Sequence, residues 1–479
     1  MDPAAAPLGR SRPRLPALRL DHQGRRHVDY RALAVLAAPL FLNSGIQAVL
    51  NLTDTWFLGR ISTDATAAVG AVYWFVIVFL LVLGGVAVAV QTLAAQAFGA
   101  GNNPGAAQAT WSGFWVVLLT SPLFLGAGLA GALLLAPFGL DPGVEALALE
   151  FWFPRMSGAV GGVALWALTS FFNGVGRTGV TLALMLAVGL VNAALNQVLG
   201  FEFGLGVAGI AWATTAAQAV GVVLGLAVFL GPRVNAAYRS RTSWRPRPDL
   251  MAGVLILGLP MGLLPAADLA GLALFQLMQV ELGTVAGAAT QIVMMLTSIA
   301  YMPAVGLASA GTTLVGQSIG AGDLDWARRV GNAAIRVNVA FMGLVSLGLA
   351  LAGPWLLPLF VTAGDPNAGA VIAIGTLLIW IAAGYQIFDG LNLGAGFALR
   401  GAGDVRVPAL LTLVVSWFGF VPLAHSLSFA PGAGWVGWLP QFGFGAIGGW
   451  AALLLYVVAL GTVMGLRWYS GAWRVVAMR

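Results

Sequence analysis

The sequence predicts an all-α polytopic membrane protein, with twelve transmembrane helices in two pseudo-symmetric six-helix bundles arranged as a parallel repeat. Three observations lead there. Only 8% of the 479 residues are charged and 59% are hydrophobic, with a mean hydropathy of +0.90; an ordinary soluble domain carries about 25% charge. So few charges cannot cover a soluble body of this size, and so much apolar side chain excludes intrinsic disorder. Apolar runs long enough to cross a bilayer follow one another with short polar breaks. Finally, the chain repeats itself at a nearly constant offset.

Taken in order, residues 1–29 are rich in Pro and Arg and lack an apolar segment ahead of a small-residue cleavage site. They read as a loose, basic cytoplasmic tail rather than a signal peptide. Twelve runs follow, at about 30–58, 66–97, 107–135, 144–172, 178–200, 206–231, 250–280, 285–316, 326–360, 368–398, 405–428 and 444–466. Each meets the ~20 residues that a spanning helix needs. They are continuous rather than alternating, which indicates helices and not barrel strands. Residues 30–231 form an N-terminal lobe and 249–466 a C-terminal lobe. Between them, 232–248 holds five Arg and three Pro and reads as a cytoplasmic linker; 467–479 is a cytoplasmic tail.

Arginine placement tests this count. Every one of the 23 basic residues is Arg, and all but Arg60 and Arg155 fall on the side of the N-terminus. The positive-inside rule then places both termini in the cytoplasm. The all-Arg basic set, with abundant Ala and Gly, suggests a GC-rich bacterial genome and hence the bacterial inner membrane. The net charge of +6 is explained by attraction to anionic inner-leaflet lipid, so no nucleic-acid partner is implied.

The repeat is read from matched residues. Pro39 matches Pro260, Ala67-Ala68 match Ala288-Ala289, Gln96 matches Gln317, and Gly99-Ala100-Gly101 match Gly320-Ala321-Gly322, all at offset 221. Gly174 and Gly176 match Gly401 and Gly403 at offset 227, and Gly206 and Gly209 match Gly445 and Gly448 at 239. Six helices per copy is an even number, so both copies enter the membrane from the same side, and their symmetry axis runs along the membrane normal. Two like bundles around an axis enclose a cleft that opens to either side by rocking, the physical basis of alternating access.

Several chemistries are excluded. With no Cys, and with His only at His22, His27 and His425, there is no disulfide framework, no thiolate nucleophile and no cofactor metal site to expect. Gly174-Val175-Gly176-Arg177-Thr178-Gly179 fits a dinucleotide fingerprint, but it joins two membrane helices and lacks the required βαβ setting. A tight turn is its expected role. The 17 Trp read mainly as interface anchors and lipid-facing bulk.

Charge inside the spans is the functional signal. Of the 17 acids, only Asp54, Asp268 and Asp389 fall within spans, and no Arg or His is expected at their depth; Asp404 is expected in an inside loop. A carboxylate in hydrocarbon costs at least ~2.5–3.5 kcal/mol. Each could be carried protonated, or could hold Na⁺ with nearby amide and hydroxyl oxygens. None belongs to the shared scaffold: the repeat partners of Asp54, Asp268 and Asp389 are Phe275, Gln47 and Gly162. Asn192 and Asn196 share a helical face, Thr214 and Thr215 lie in span six, and Tyr385 stands one turn before Asp389. Helix–helix hydrogen bonding is the plainer role for such Asn and Thr residues.

These residues resemble the multidrug and toxic compound extrusion (MATE) family over roughly 30–466. The likeness is carried by Pro39 with Asn51-Leu52-Thr53-Asp54-Thr55, Ala95-Gln96-Ala97-Phe98-Gly99-Ala100-Gly101, Gly206-Val207-Ala208-Gly209, and Leu399-Arg400-Gly401-Ala402-Gly403-Asp404. The second half is similar to the NorM branch. That branch has an acid eight residues after the span-seven proline, here Pro260 and Asp268, and a Tyr four residues ahead of an Asp in span ten, here Tyr385 and Asp389. Glu is usual at the first position, so Asp268 departs from the pattern with a shorter reach. The resemblance implies a cation site, able to take Na⁺, from Asp268, Tyr385 and Asp389. It implies a second site from Asp54, Asn192, Asn196 and Thr214; some relatives carry Asp where Asn196 stands, so this site has one charge fewer.

The expectation is a secondary antiporter, not an enzyme, exporting organic, cationic and lipophilic compounds in exchange for Na⁺ or H⁺. No cofactor is expected; the partners are small-molecule drugs and membrane lipid, and the chain is expected to act as a monomer. Two alternatives stand beside it. A lipid-linked oligosaccharide flippase of the same superfamily would line its cleft with Arg. A membrane-embedded transferase would need a His/Asp or acidic metal pair on a catalytic loop, and no long loop is present here.

Overall fold

The computed structural model describes residues 15–139, 141–361 and 366–478. Asp2, Arg10, Arg12, Arg14, Asp365 and Arg479, used above in the charge count, lie outside the described residues. Twelve long helices match the twelve expected runs: α1 (Tyr30–Ile61), α2 (Thr63–Gly99), α3 (Asn103–Leu129), α4 (Pro142–Gly174), α5 (Thr178–Gln197), α6 (Gly206–Phe229), α7 (Pro248–Glu281), α8 (Thr284–Gly320), α9 (Leu324–Leu356), α10 (Ala368–Gly401), α11 (Arg406–Ser428) and α12 (Gly445–Tyr469). Eleven of them are apolar enough to cross a membrane by composition as well as length. The twelfth, α4, has 33 residues, about 50 Å at 1.5 Å per residue, and so is long enough. Its apolar run is broken by Glu145, Glu150 and Arg155.

The ends of the helices follow from local chemistry. Asp29 caps α1, accepting from the backbone N–H groups of Arg31 and Ala32, and Ser62 caps α2 through the N–H of Ala65. Gly101, Gly176, Gly322 and Gly403 adopt φ of +69°, +78°, +81° and +78°, stopping α2, α4, α8 and α10 in the left-handed conformation glycine tolerates. The fingerprint-like run 174–179 is therefore a tight turn. Two π turns occur among the described residues. A π turn at Val198–Glu202 follows α5, and another at Val415–Phe420 interrupts α11.

The chain divides into two compact units, residues 1–263 with 312–328, and residues 264–311 with 329–479. In the first unit, α2 packs against α4 and α3, α4 against α6, and α1 against α5. Phe124, Trp152, Met156, Phe171, Phe172 and Phe229 fill its core and are almost wholly buried. The start of α7 belongs to this unit through glycine. A Cβ on Gly85, Gly258 or Gly262 would collide with backbone across the α2–α7 contact, the close approach that small residues four apart permit. In the second unit, α10 packs against α12, and Ala304, Ala308, Met342 and Leu393 form a cluster.

At the end where α2, α4 and α8 terminate, the repeat makes a matched contact. A Cβ on Gly99 would overlap the Gln317 carbonyl, and one on Gly320 would overlap the Gln96 carbonyl. The same pair of motifs read from the sequence thus meets its own copy backbone to backbone. Buried hydrogen bonds seal the place: Gln317 Nε2 donates to the Gly174 carbonyl (2.8 Å), Gln91 Nε2 to Thr313 Oγ1 (3.1 Å), and Thr313 Oγ1 to the Asn173 carbonyl (3.0 Å).

Two expectations change, and the reading of the Trp residues gains an exception. The tail is not loose where it is described: Leu18–Leu20 and Arg26–Val28 pair as an antiparallel hairpin. The hairpin is tied down by an Arg26–Asp323 ion pair of 2.6 Å and, beside it, by Trp326 Nε1 donating to the Pro16 carbonyl at 2.9 Å. Asp404 is not in water; it is buried and paired with Arg467 at 2.8 Å. Trp152, Trp326, Trp450, Trp468 and Trp473 are fully buried core residues, because each indole N–H finds an acceptor, as in Trp152 to Ala127 and Trp450 to Thr290.

Candidate functional site

The four residues expected in the first lobe come together as one hydrogen-bonded group. Asp54 lies on α1 two turns before its end. Asn196 Nδ2 donates to Asp54 Oδ1 at 2.6 Å, and Thr214 Oγ1 to Asp54 Oδ2 at 3.2 Å. Asn192 Nδ2 donates to Thr214 Oγ1 at 3.2 Å, and Asn196 Nδ2 also reaches Asn192 Oδ1 at 3.4 Å. The group draws on α1, α5 and α6, and local sequence explains how. The i, i+4 spacing puts both Asn side chains on one face of α5. The π turn begins right after α5, and Gly209 seats α6 against the Leu199 carbonyl, so Thr214 is brought beside the two amides. Both Asn residues are buried, and charge-assisted donors onto Asp54 offset part of the desolvation of its carboxylate.

Asp54, Asn192 and Thr214 line a cavity of about 690 Å³ inside this unit, together with Tyr73, Trp166 and Arg155. That volume is in the range of small-molecule sites. Arg155 corrects an expectation. It was placed toward the outside, with no Arg at the depth of the acids; instead it sits well inside α4 and within electrostatic reach of Asp54. The helix itself matches the expected run of 144–172, starting where Asp141 caps at the Gly143 N–H; what the run does not show is that Arg155 lines a cavity beside Asp54. Just ahead of Arg155, the Pro154 carbonyl accepts from Thr215 Oγ1 at 2.9 Å, which ties this stretch of α4 to α6.

The second expected set, Asp268, Tyr385 and Asp389, is neighbouring but not directly bonded among the described residues. Asp268 on α7 and Asp389 on α10 are near enough for their charges to interact. Tyr385 is buried one turn before Asp389, its ring 6.3 Å from that of Trp450. The direct partner of Asp268 is Tyr456 on α12, whose hydroxyl donates to Oδ1. The only close donor to Asp389 among the described residues is Asn392 Nδ2 on the same helix, at 3.4 Å. Sequence reading missed Tyr456. The signal was available: it is one of seven Tyr in the chain and stands in an otherwise apolar span. Phe420, presented by the π turn of α11, stacks on Tyr456 at 4.7 Å and holds the phenol in place. Tyr456→Phe is expected to lower stability by about 1–3 kcal/mol, because Asp268 keeps its burial and loses its donor. Thermal unfolding of the purified protein checks this; an unchanged midpoint would show that Asp268 does not depend on the phenol.

Comparisons with known proteins agree with this architecture. The MatE family model matches residues 39–198 and 260–424, the two copies of the repeat. A probable multidrug resistance protein NorM from Rhizobium meliloti (strain 1021) is 30% identical over 456 residues, covering 94% of this chain and 95% of the relative. Another from Pseudomonas aeruginosa is 33% identical over 458 residues, covering 92% and 90%. Among solved structures, the outward-facing conformation of a multidrug resistance MATE family transporter of the MOP superfamily has a TM-score of 0.82 at 17% identity. It covers 93% of this chain and 96% of that one. A doubled family match that breaks at the linker, relatives aligned nearly end to end and a shared fold lead to one conclusion: the chain belongs to the MatE family and is a membrane transporter, not an enzyme.

Proposed function

We propose that this chain is a multidrug efflux antiporter that exports organic, cationic and lipophilic compounds in exchange for Na⁺ or H⁺. The observation that carries the reading is Asp54, a carboxylate within a membrane-spanning helix, hydrogen-bonded to Asn196 and Thr214 at the wall of a ligand-sized cavity. A group so placed can take a cation and change what the cavity accepts. The relatives' description as multidrug resistance proteins supports the same substrate breadth.

In this mechanism Asp54, or the Asp268/Asp389 pair, receives the coupling cation while the molecule is open outward. Tyr456 orients Asp268, and Asn196 and Thr214 orient Asp54, so each carboxylate presents its remaining lone pairs to the arriving ion. A neutralised carboxylate no longer attracts a cationic drug, which leaves; the neutral site then permits the return. Coupling exists only because cation and drug each favour a different state. A flippase for lipid-linked diphosphates is less supported, because Arg155 is the one Arg among the residues lining this cavity.

The test is reconstitution in proteoliposomes with dye efflux triggered separately by a Na⁺ step and a pH step. Efflux is expected on at least one of the two; silence to both overturns the antiport reading. The cytoplasmic placement of the termini follows from Arg distribution, and labelling of single cysteines introduced at each end of the Cys-free chain checks it.

A further inference from the structure

The hairpin ahead of α1 carries charge that neither its own fold nor cation exchange uses. Its register sets Arg19 directly opposite His27, so the two side chains share one face. Asp21 spends both carboxylate oxygens within the hairpin. Oδ1 accepts from the backbone N–H groups of Gln23 and Arg25 at 2.9 and 2.8 Å, and Oδ2 pairs with His27 Nε2 at 3.1 Å. Arg26 is committed to Asp323. Arg19, Arg25 and Arg31, by contrast, are exposed and have no ion-pair partner among the described residues. Arg19, His22 and His27 line a hollow of about 360 Å³ together with Leu20, Asp21 and Val28. Asp29 fixes the height of this surface: its N–H donates to the Ala17 carbonyl at 2.8 Å while its carboxylate caps α1. The hairpin therefore stands where α1 begins, at the end that the Arg distribution assigns to the cytoplasm. Topology alone does not account for it. The positive-inside bias counts Arg near a span whether or not the segment is folded, and a loose tail would serve. Here the nearby acid is spent, and Arg26 and the Pro16 carbonyl tie the hairpin to the start of α9 and the turn before it.

We propose that the hairpin is a binding surface for anionic phospholipid of the inner leaflet, with the lipid phosphate on Arg19 in the hollow and Arg25 beside it at the turn. A guanidinium matches a phosphate with two parallel hydrogen bonds, and basic residues next to a span are drawn to an anionic leaflet. Leu20, which lines the hollow, and Tyr30, the first residue of α1, are 58% and 51% exposed. An apolar side chain and an amphipathic ring beside unpaired guanidinium groups suit the boundary between headgroups and acyl chains. Charge decides among the occupants. A second copy of this chain would bring the same basic surface and be repelled. A free phosphate would satisfy Arg19 and leave Leu20 and Tyr30 in water. A lipid headgroup with its acyl chains meets both.

The inference does not depend on what the chain exports, so it is tested by lipid contact alone. A bimane fluorophore is attached at Gln23→Cys in the Cys-free full chain, at the turn of the hairpin. The protein is placed in nanodiscs of fixed phosphatidylcholine and phosphatidylglycerol content, with a nitroxide near the top of the acyl chain of one lipid or the other. The labelled phosphatidylglycerol is expected to quench about fivefold more effectively than the labelled phosphatidylcholine, the enrichment that one basic side chain near an anionic surface supplies. Arg19→Gln with Arg25→Gln should bring the ratio close to one, and Arg19→Lys with Arg25→Lys should keep most of it. Equal quenching of the wild-type hairpin by the two lipids overturns the proposal, as does a ratio that survives the double Gln substitution. A label quenched by neither lipid overturns it as well and leaves the surface to a protein partner or to water. Loss of the ratio on adding inorganic phosphate, but not chloride at the same ionic strength, shows a free-phosphate site and overturns the lipid assignment.

Discussion

Asp389→Asn is expected to cut cation-driven efflux severely, by roughly 5- to 150-fold, in a protein that still inserts and folds. The substitution changes one property. Asn has the shape of Asp, keeps an oxygen to accept from Asn392, and cannot ionise or bind a cation with a full charge. Asp389 is partly buried on α10, with the charge of Asp268 near it, so removing one of two like charges also relieves repulsion and should not destabilise. What disappears is the difference in cation affinity between the two access states. A coupling free energy of about 1–3 kcal/mol corresponds to roughly 5- to 150-fold, so ion-triggered dye efflux should fall by a factor in that range, with unchanged membrane yield. Efflux at the wild-type rate would remove Asp389 from the coupling mechanism and leave Asp54 to carry it.

Gly99→Val should act through packing instead of charge, and its effect should be comparably large. Gly99 and Gly320 each lie against the carbonyl of the other motif's Gln, with no room for a Cβ. A valine cannot be accommodated by a side chain swinging aside, because the obstacle is backbone. The overpacking costs about 1–3 kcal/mol or more and falls on the state in which the ends of α2 and α8 touch. The hydrogen bonds around Gln91, Thr313 and Gln317 would be strained with it. Spin labels at Ala100→Cys and Ala321→Cys, in a chain with no other Cys, should report a longer and broader separation in the variant, and efflux should drop by about tenfold if closing this end is a step in the cycle. Unchanged label distances would mean that the two motifs are not held by this contact.

How much of this was legible depends on the physics of each feature. The helices were readable to within a few residues, since the run placed at 178–200 became Thr178–Gln197 and the run at 107–135 became Asn103–Leu129. Bilayer thickness sets a minimum run length, and glycine at Gly101, Gly176, Gly322 and Gly403 marks the stops. Asp54, Asn192, Asn196 and Thr214 could be nominated together because polar groups in hydrocarbon are costly and therefore rare. Tyr456 escaped because a phenol is cheap to bury and its value lies in its partner, 188 residues away in sequence. Arg155 lies within the run read at 144–172, but its place beside Asp54 escaped because hydropathy reports that a segment spans and not which charges its neighbours bring to the same depth.

Hydropathy, the distribution of Arg and the repeat offsets determine the class, the number of spans and the pairing of the motifs, because each is a property of a contiguous segment interacting with lipid and water. Which charges meet is a different kind of fact. That Asp54 accepts from Asn196 and Thr214, that Asp268 is held by Tyr456, that Asp404 is buried against Arg467, and that Arg155 faces a cavity with an unmet donor all arise from helices far apart in the chain packing side by side. The 8% of charged residues announced the membrane; only the packing decided that Arg155 is among the charges placed beside the cavity.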